Sequence, residues 1–136
     1  MIIFGYIAHI TFSLILVVPT DLYILKLDLI SKIILYSSAV LGSLLPDVDI
    51  PNSFLGRIIQ PISNIIYFIF GHRTITHSLL INIILYLFLL IITANKLILS
   101  GIFLGIVTHI MADMITPSGV SIFYPINKKR ISIYKK

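Results

Sequence analysis

A chain of 136 residues is the size of one domain. Its 58% hydrophobic content and mean hydropathy of +1.09, with only 10 basic and 5 acidic residues, exclude a soluble globular fold, whose surface could not be solvated by so few charges. The lack of cysteine further excludes a disulfide framework, a thiolate metal site and a cysteine nucleophile. The composition is that of an integral membrane protein, all-α, and the elements below predict a multi-pass helical bundle.

In chain order, the first predicted span covers residues 2–18 and is ended by Pro19, which cannot donate an amide and crowds the preceding turn. It lacks a positive leading region and a small-residue cleavage site, so it is expected as a span and not as a cleavable signal. Gly5, His9 and Ser13 share one of its faces. The second span, 31–45, ends at Pro46 and is followed at once by Asp47 and Asp49. A long connection then carries its own apolar stretch, 54–70, interrupted by Pro61. Its polar positions (Arg57, Gln60, Ser63, Asn64) recur at near-helical spacing, which predicts an interfacial or re-entrant amphipathic segment. The run from Gly71 to Ser78 gathers His72, Arg73, Thr74, Thr76 and His77 directly before the third span, 78–93, on which Ser78, Asn82 and Tyr86 form a polar stripe. The fourth span, 97–115, bears Gly101, Gly105, His109 and Asp113 in an unbroken i, i+4 series. Residues 1–125 thus form the membrane-embedded domain. Residues 126–136, with Lys128, Lys129, Arg130, Lys135 and Lys136, form a basic tail suited to anionic headgroups, and no nucleic-acid partner is expected.

Four crossings place the middle of the chain and its C-terminal tail on the same side as its first residue. His9, Asp47, Asp49, His72, His77, His109 and Asp113 then all gather at one end of the bundle. These are all four histidines and three of the five acidic residues of the chain. The same side carries Arg57, Arg73 and the basic tail, against Lys26, Lys32 and Lys96 opposite, which predicts that it faces the cytoplasm. Taken singly, the clusters have plainer readings. His109 and Asp113 can be a hydrogen-bonded pair, Asp47 and Asp49 a helix-ending turn, Thr76 or Ser78 a helix cap, and His9 an interhelical donor. Together they read as a metal centre, because ionisable groups at membrane depth are costly and usually functional. Nitrogen and oxygen donors without a thiolate suit zinc, or manganese or iron, and seven of them suit two ions better than one.

The runs Leu44-Leu45-Pro46-Asp47-Val48-Asp49, Gly71-His72-Arg73 with Thr76-His77-Ser78, and His109-Ile110-Met111-Ala112-Asp113 with Thr116-Pro117-Ser118-Gly119 resemble the YdjM-type family. That family is described as LexA-regulated, membrane-bound, predicted metal-dependent hydrolases of the bacterial inner membrane, found also in archaea. The resemblance extends from His9 to about Pro125, and implies a multi-pass membrane protein with a hydrolase-like metal site. Ile50 stands where members often carry histidine, and Thr74 where they often carry glycine. The order of ligand types is also similar, more loosely, to the zinc-dependent phospholipase C and nuclease class, although the further histidines and glutamate of a three-zinc site are missing here.

The function expected from these residues is a metal-dependent hydrolysis of a phosphoester, a phospholipid or lipid-linked phosphate, at the cytoplasmic membrane surface. Asp49 is the expected general base, and Arg73 with Arg57 the expected phosphate-binding pair. Thr76, Ser78, Thr116 and Ser118 are expected to orient the histidines. Two other readings stand beside it: a non-catalytic metal-binding or metal-transport protein, and a purely structural His–Asp network.

Overall fold

Pro19 does not end the first helix. In the computed structural model, which describes residues 5–134, α1 spans Tyr6–Thr20 with Pro19 inside it and passes into a π turn at Asp21–Leu25. Proline forfeits one amide and crowds the carbonyl four residues back. The wider turn that follows re-registers the chain, with the amide of Lys26 donating to the Asp21 carbonyl at 2.6 Å. The sequence expectations that touch Ile2, Lys135 and Lys136 lie outside the described residues.

The second helix, α2 (Leu29–Leu44), starts where the Asp28 carboxylate accepts from the amides of Ile30 and Ser31 at 3.0 and 3.2 Å. Pro46 ends it as expected, opening a 3-10 turn at Pro46–Asp49. The stretch 54–70 is two helices, α3 (Phe54–Ile58) and α4 (Gln60–Phe70). The expected interruption is there, at Ile59, and Pro61 sits just after it in the first turn of α4, where a missing amide costs nothing. Next come α5 (Leu79–Ile92), capped by Ser78, and α6 (Lys96–Met114), capped by Asn95.

The helices over Tyr6–Leu25, Leu29–Asp49 and Lys96–Met114 are long and apolar enough to cross a membrane. At 14 residues α5 is apolar but shorter, about 21 Å at the α-helical rise against the ~30 Å of a hydrocarbon core. The architecture is the expected all-helical membrane bundle. Among the described residues the one strand-like feature is an isolated bridge between Val120 and Ile131.

The tightest helix pair is α2 with α6. A Cβ on Gly42 would run into the Ile102 carbonyl, one on Gly105 into the Ala39 carbonyl, and one on Gly101 into the Ser38 hydroxyl. Small side chains let two backbones approach where lipid provides no hydrophobic drive to associate. Helix α1 lies against this pair, burying His9, Ser13 and Val17, and Val17 joins Leu35 and Ala39 in the apolar core. Gly5, expected to extend the same stripe, is exposed. Helix α5 buries none of its residues and leans on α6 through Tyr86, whose ring stacks on Phe103 at 4.3 Å and whose hydroxyl meets Ser100 at 3.0 Å. Large apolar side chains such as Phe68 on α4 and Ile91 on α5 are left exposed, a surface suited to lipid.

Both ends of the bundle are tied. Far from His9 along α1, the buried Asp21 accepts from the Tyr36 hydroxyl at 2.5 Å and the Leu27 amide at 2.9 Å, with Lys32 Nζ at 3.7 Å. At the other end residues 120–134 fold back over α5 and α6. Val120 and Ile131 exchange two backbone bonds, the Ile133 amide donates to the Met114 carbonyl at 2.7 Å, and the Leu80 amide to that of Ile122 at 3.1 Å.

Candidate metal centre

Four separate parts of the chain deliver the site. His9 comes from the first turns of α1, Asp47 and Asp49 from the 3-10 turn, His72 and His77 from the loop before α5, and His109 with Asp113 from the last turns of α6. His9, Asp49, His77, His109 and Asp113 are fully buried, whereas the side chains of Asp47 and His72 keep 17% and 30% of their surface. The expected convergence is therefore present for all seven. Six of them fall into two sets whose donor atoms lie close together, His9, His109 and Asp113, and Asp47, His72 and His77; Asp49 belongs to neither.

The two sets meet at two imidazoles. His77 Nε2 and His109 Nε2 face each other at 3.2 Å. Asp113 Oδ2 lies 3.3 Å from the first and 3.7 Å from the second, and Asp47 Oδ1 lies 3.7 and 3.5 Å from them. Donors around a tetrahedral zinc with bonds of about 2.0–2.1 Å stand about 3.3 Å apart, so this spacing can accept a small divalent ion. His9 closes the other side, its ring stacked on His109 at 3.7 Å and its Nε2 3.8 Å from Asp113 Oδ1.

Hydrogen bonds on the far side of each ring decide which nitrogen is available. His109 Nδ1 lies 2.6 Å from the Ser43 carbonyl, which can only accept, so the ring proton sits on Nδ1 and the Nε2 lone pair points inward. The Thr76 hydroxyl donates to Asp49 Oδ2 at 2.7 Å, so its oxygen, 3.0 Å from His77 Nδ1, accepts the proton there and assigns it in the same way. Two inward lone pairs among carboxylate oxygens need a cation between them, a proton or a metal. In the metal-free protein burial opposes charge on His77, but the carboxylates of Asp113, Asp47 and Asp49 outweigh it and push its pKa up to about 10.

Asp49 and Arg73 sit differently from the roles read in the sequence. Both oxygens of Asp49 are taken: Oδ1 meets His72 Nδ1 at 2.9 Å, and Oδ2 accepts from the Arg73 amide at 3.0 Å and the Thr76 hydroxyl at 2.7 Å. It holds His72 by its outer nitrogen directly and His77 through Thr76. Arg73, buried and with a left-handed backbone (φ 63°), spends its guanidinium inside the protein. Nη2 donates to Asp113 Oδ1 at 2.6 Å, and Nη1 to Thr116 Oγ1 at 2.8 Å and to the Ser118 hydroxyl. Arg73 thus fixes Asp113 and is turned away from the surface.

Of the residues expected to orient the histidines, Thr76 does so, with its hydroxyl 3.0 Å from His77 Nδ1. Thr116 and Ser118 orient Arg73 instead. Ser78 caps α5 and donates to the Tyr124 carbonyl at 2.6 Å. Asn82 continues this polar stripe, its amide donating to the carbonyls of Thr76 and Ser78 at 3.0 and 2.8 Å. Two contributors carry no sequence signal: the Ser43 carbonyl behind His109, and Arg130, whose Nη2 donates to the His72 carbonyl at 3.0 Å.

The family model described as YdjM inner membrane protein matches residues 4–135. Curated relatives named Inner membrane protein YdjM, from Escherichia coli (strain K12) and Shigella flexneri, are each 46% identical over 93 residues, which is 65% of this chain and 47% of theirs. A Bacillus subtilis (strain 168) protein named YvsG is 30% identical over 105 residues, 76% of this chain and 66% of its own. The chain spans about half the length of the first two. No solved structure gives a significant match.

Proposed function

The chain belongs to the YdjM inner membrane protein family, and from that premise and the converging donors we propose that it is a metal-dependent hydrolase of a phosphoester at the cytoplasmic face of the inner membrane. One observation carries the reading: His77 Nε2 and His109 Nε2 face each other at 3.2 Å, each with its other nitrogen already committed to an acceptor. Behind them, His9, Asp113, Asp47 and His72 supply enough nitrogen and oxygen donors for two divalent ions, with zinc favoured and manganese or iron chemically compatible. Such ions supply Lewis acidity and a nucleophilic water at neutral pH.

The chain's own residues then divide the work. Asp49 and Thr76 hold His72 and His77, the Ser43 carbonyl holds His109, and Arg73 holds Asp113. Asp47 is the carboxylate that both faces the histidines and keeps open surface, which fits it better than Asp49 to take a proton during turnover. The basic residues Arg57, Arg73 and the tail, against Lys26, Lys32 and Lys96 at the other side, support the cytoplasmic orientation. A phospholipid or lipid-linked phosphate is the substrate class that such a position would meet.

The test is elemental analysis of detergent-purified protein free of affinity-tag histidines, wild type beside His109→Ala, followed by a phosphoester and phospholipid turnover screen. Near two equivalents of metal in the wild type, lost in the variant, with metal-dependent turnover, is the expected result. Bound metal with no turnover would leave a non-catalytic metal-binding protein. No uptake of zinc, manganese or iron would refute the reading altogether.

A further inference from the structure

Beside Asp47 the surface opens into a cleft of ≈ 610 Å³, lined by Tyr6, Asp47, Asn52, Ser53, Phe54 and Arg57 among others. The cleft is built in register with the metal centre. Ser53 Oγ donates to the Asp47 carbonyl at 2.6 Å and caps α3 by accepting from the Gly56 amide at 2.9 Å. Gly56 lies against the Ile50 carbonyl so closely that a Cβ there would collide with it. Helix α3 is therefore fixed to the turn that carries Asp47, and Arg57, one turn beyond Ser53, is presented at a set position. Arg57 is exposed, and among the described residues no carboxylate or carbonyl accepts from its guanidinium. Gly5, which caps α1 without a side chain, lines the same cleft, and the positive end of that helix dipole lies there. Along its rim Tyr6 and Phe54 stack at 5.6 Å and offer an apolar wall.

We propose that this cleft is a phosphate-binding subsite, in which Arg57 takes the phosphate oxygens of an amphiphilic phosphoester while the Tyr6–Phe54 wall receives the first part of its apolar chain. A guanidinium fork matches two phosphate oxygens, and Arg57 is placed for this as Arg73 is not, since Arg73 is committed to Asp113. The phosphate would lie between Arg57 and Asp47, with its ester bond toward the buried histidines. This deepens the hydrolase reading and rests on it for the identity of the reaction, but the subsite itself makes an anion-binding claim that stands or falls separately.

Equilibrium binding to the full chain in detergent, metal-stripped and zinc-loaded, tests it with two probes, inorganic phosphate and short-chain dihexanoyl phosphatidic acid. Arg57→Gln should weaken both probes by about 10- to 100-fold, the range of a charge-assisted hydrogen bond, with zinc content unchanged. Phe54→Ala should weaken the lipid probe alone. If both probes bind equally and Phe54→Ala changes neither, the subsite is sustained with free phosphate as its source and the apolar wall is rejected. If Arg57→Gln binds phosphate as the wild type does, or the wild type binds none, the subsite is overturned. A wild type that takes up no metal but shows Arg57-dependent phosphate binding would refute the hydrolase reading and keep the subsite.

Discussion

Replacing Asp49 by asparagine separates two ways of building this centre. If Asp49 acts through the imidazoles, as its contacts indicate, the variant keeps the shape and loses a charge behind the ligands. The asparagine oxygen can still accept from the Arg73 amide and the Thr76 hydroxyl, now 3.0 and 2.7 Å from Asp49 Oδ2. With Thr76 still donating to it, the Thr76 oxygen still accepts from His77 Nδ1, so the lone pair at Nε2 remains directed inward. What disappears is the carboxylate charge behind His72 and His77, and the asparagine NH2 in the place of Oδ1 donates to His72 Nδ1 where the carboxylate accepted. Loss of such an outer partner costs about 10- to 100-fold in metal affinity, or about 1.4–2.7 kcal/mol. The assay is competition for zinc against a chelator of known affinity, with His109→Ala as the reference for losing a direct ligand. Abolition of binding as complete as in His109→Ala would make Asp49 itself a ligand. No change at all would show that the carboxylate does nothing for the imidazoles. Either result refutes the reasoning.

Gly105→Ala should force α2 and α6 apart, since its Cβ would meet the Ala39 carbonyl; about 1–3 kcal/mol is the usual cost of overpacking, read as a lower thermal midpoint. Because His109 lies one turn further along α6 and bonds the Ser43 carbonyl on α2, zinc affinity should fall with it. Metal uptake should depend on pH with a definite sign. With the His77 pKa raised to about 10 in the metal-free protein, zinc must displace a proton below that value, so apparent affinity should rise with pH from 6.5 to 9, by up to about tenfold per unit, and titrations in buffers of different ionisation enthalpy should show proton release. An affinity flat between pH 7 and 9 would contradict it. Tyr36→Phe removes the hydroxyl that Asp21 accepts at the far end of the bundle, and should lower the thermal midpoint while leaving metal content unchanged.

The parts that sequence made legible share a physical cause: they are periodic. His109 and Asp113 repeat the i, i+4 stripe that Gly101 and Gly105 begin, so a helix alone puts them on one face, and the small residues mark that face as the one against α2. Counting spans then placed all seven ligand-type residues at one end. What stayed hidden depends on contacts between segments distant in the chain. Asp49 reads as a ligand until His72 and Thr76, 23 and 27 residues away, are seen to occupy its oxygens. Arg73 reads as a phosphate binder until Asp113, 40 residues on, is seen to hold it. Pro19 reads as a stop because local rules do not include the π turn, which the Asp21 contacts with Tyr36 and Leu27 secure from outside the helix. A backbone carbonyl such as that of Ser43 has no sequence signature at all.

The same contacts bear on whether the His–Asp cluster is only structural glue. A network built to hold helices together sets donors against acceptors, as Tyr36, Lys32 and the Leu27 amide do around Asp21. At the other end the outer nitrogens of His109 and His77 are paired in that manner, but the inner ones are not. His77 Nε2, His109 Nε2, Asp47 Oδ1 and Asp113 Oδ2 are four acceptor-type atoms turned toward a common space. Arg73, the cation bonded to Asp113, reaches it from behind at Oδ1, and among the described residues no hydrogen-bond donor meets Oδ2. Burying such a set costs several kcal/mol unless a positive charge sits at its centre. A single proton on His77 compensates only part of it, and divalent metal compensates more, at the depth where an apolar chain would otherwise gain by carrying no histidine or aspartate. A cluster of this kind could hold a metal ion, and proton-for-metal exchange at His77 is the property by which a metal centre and glue are told apart.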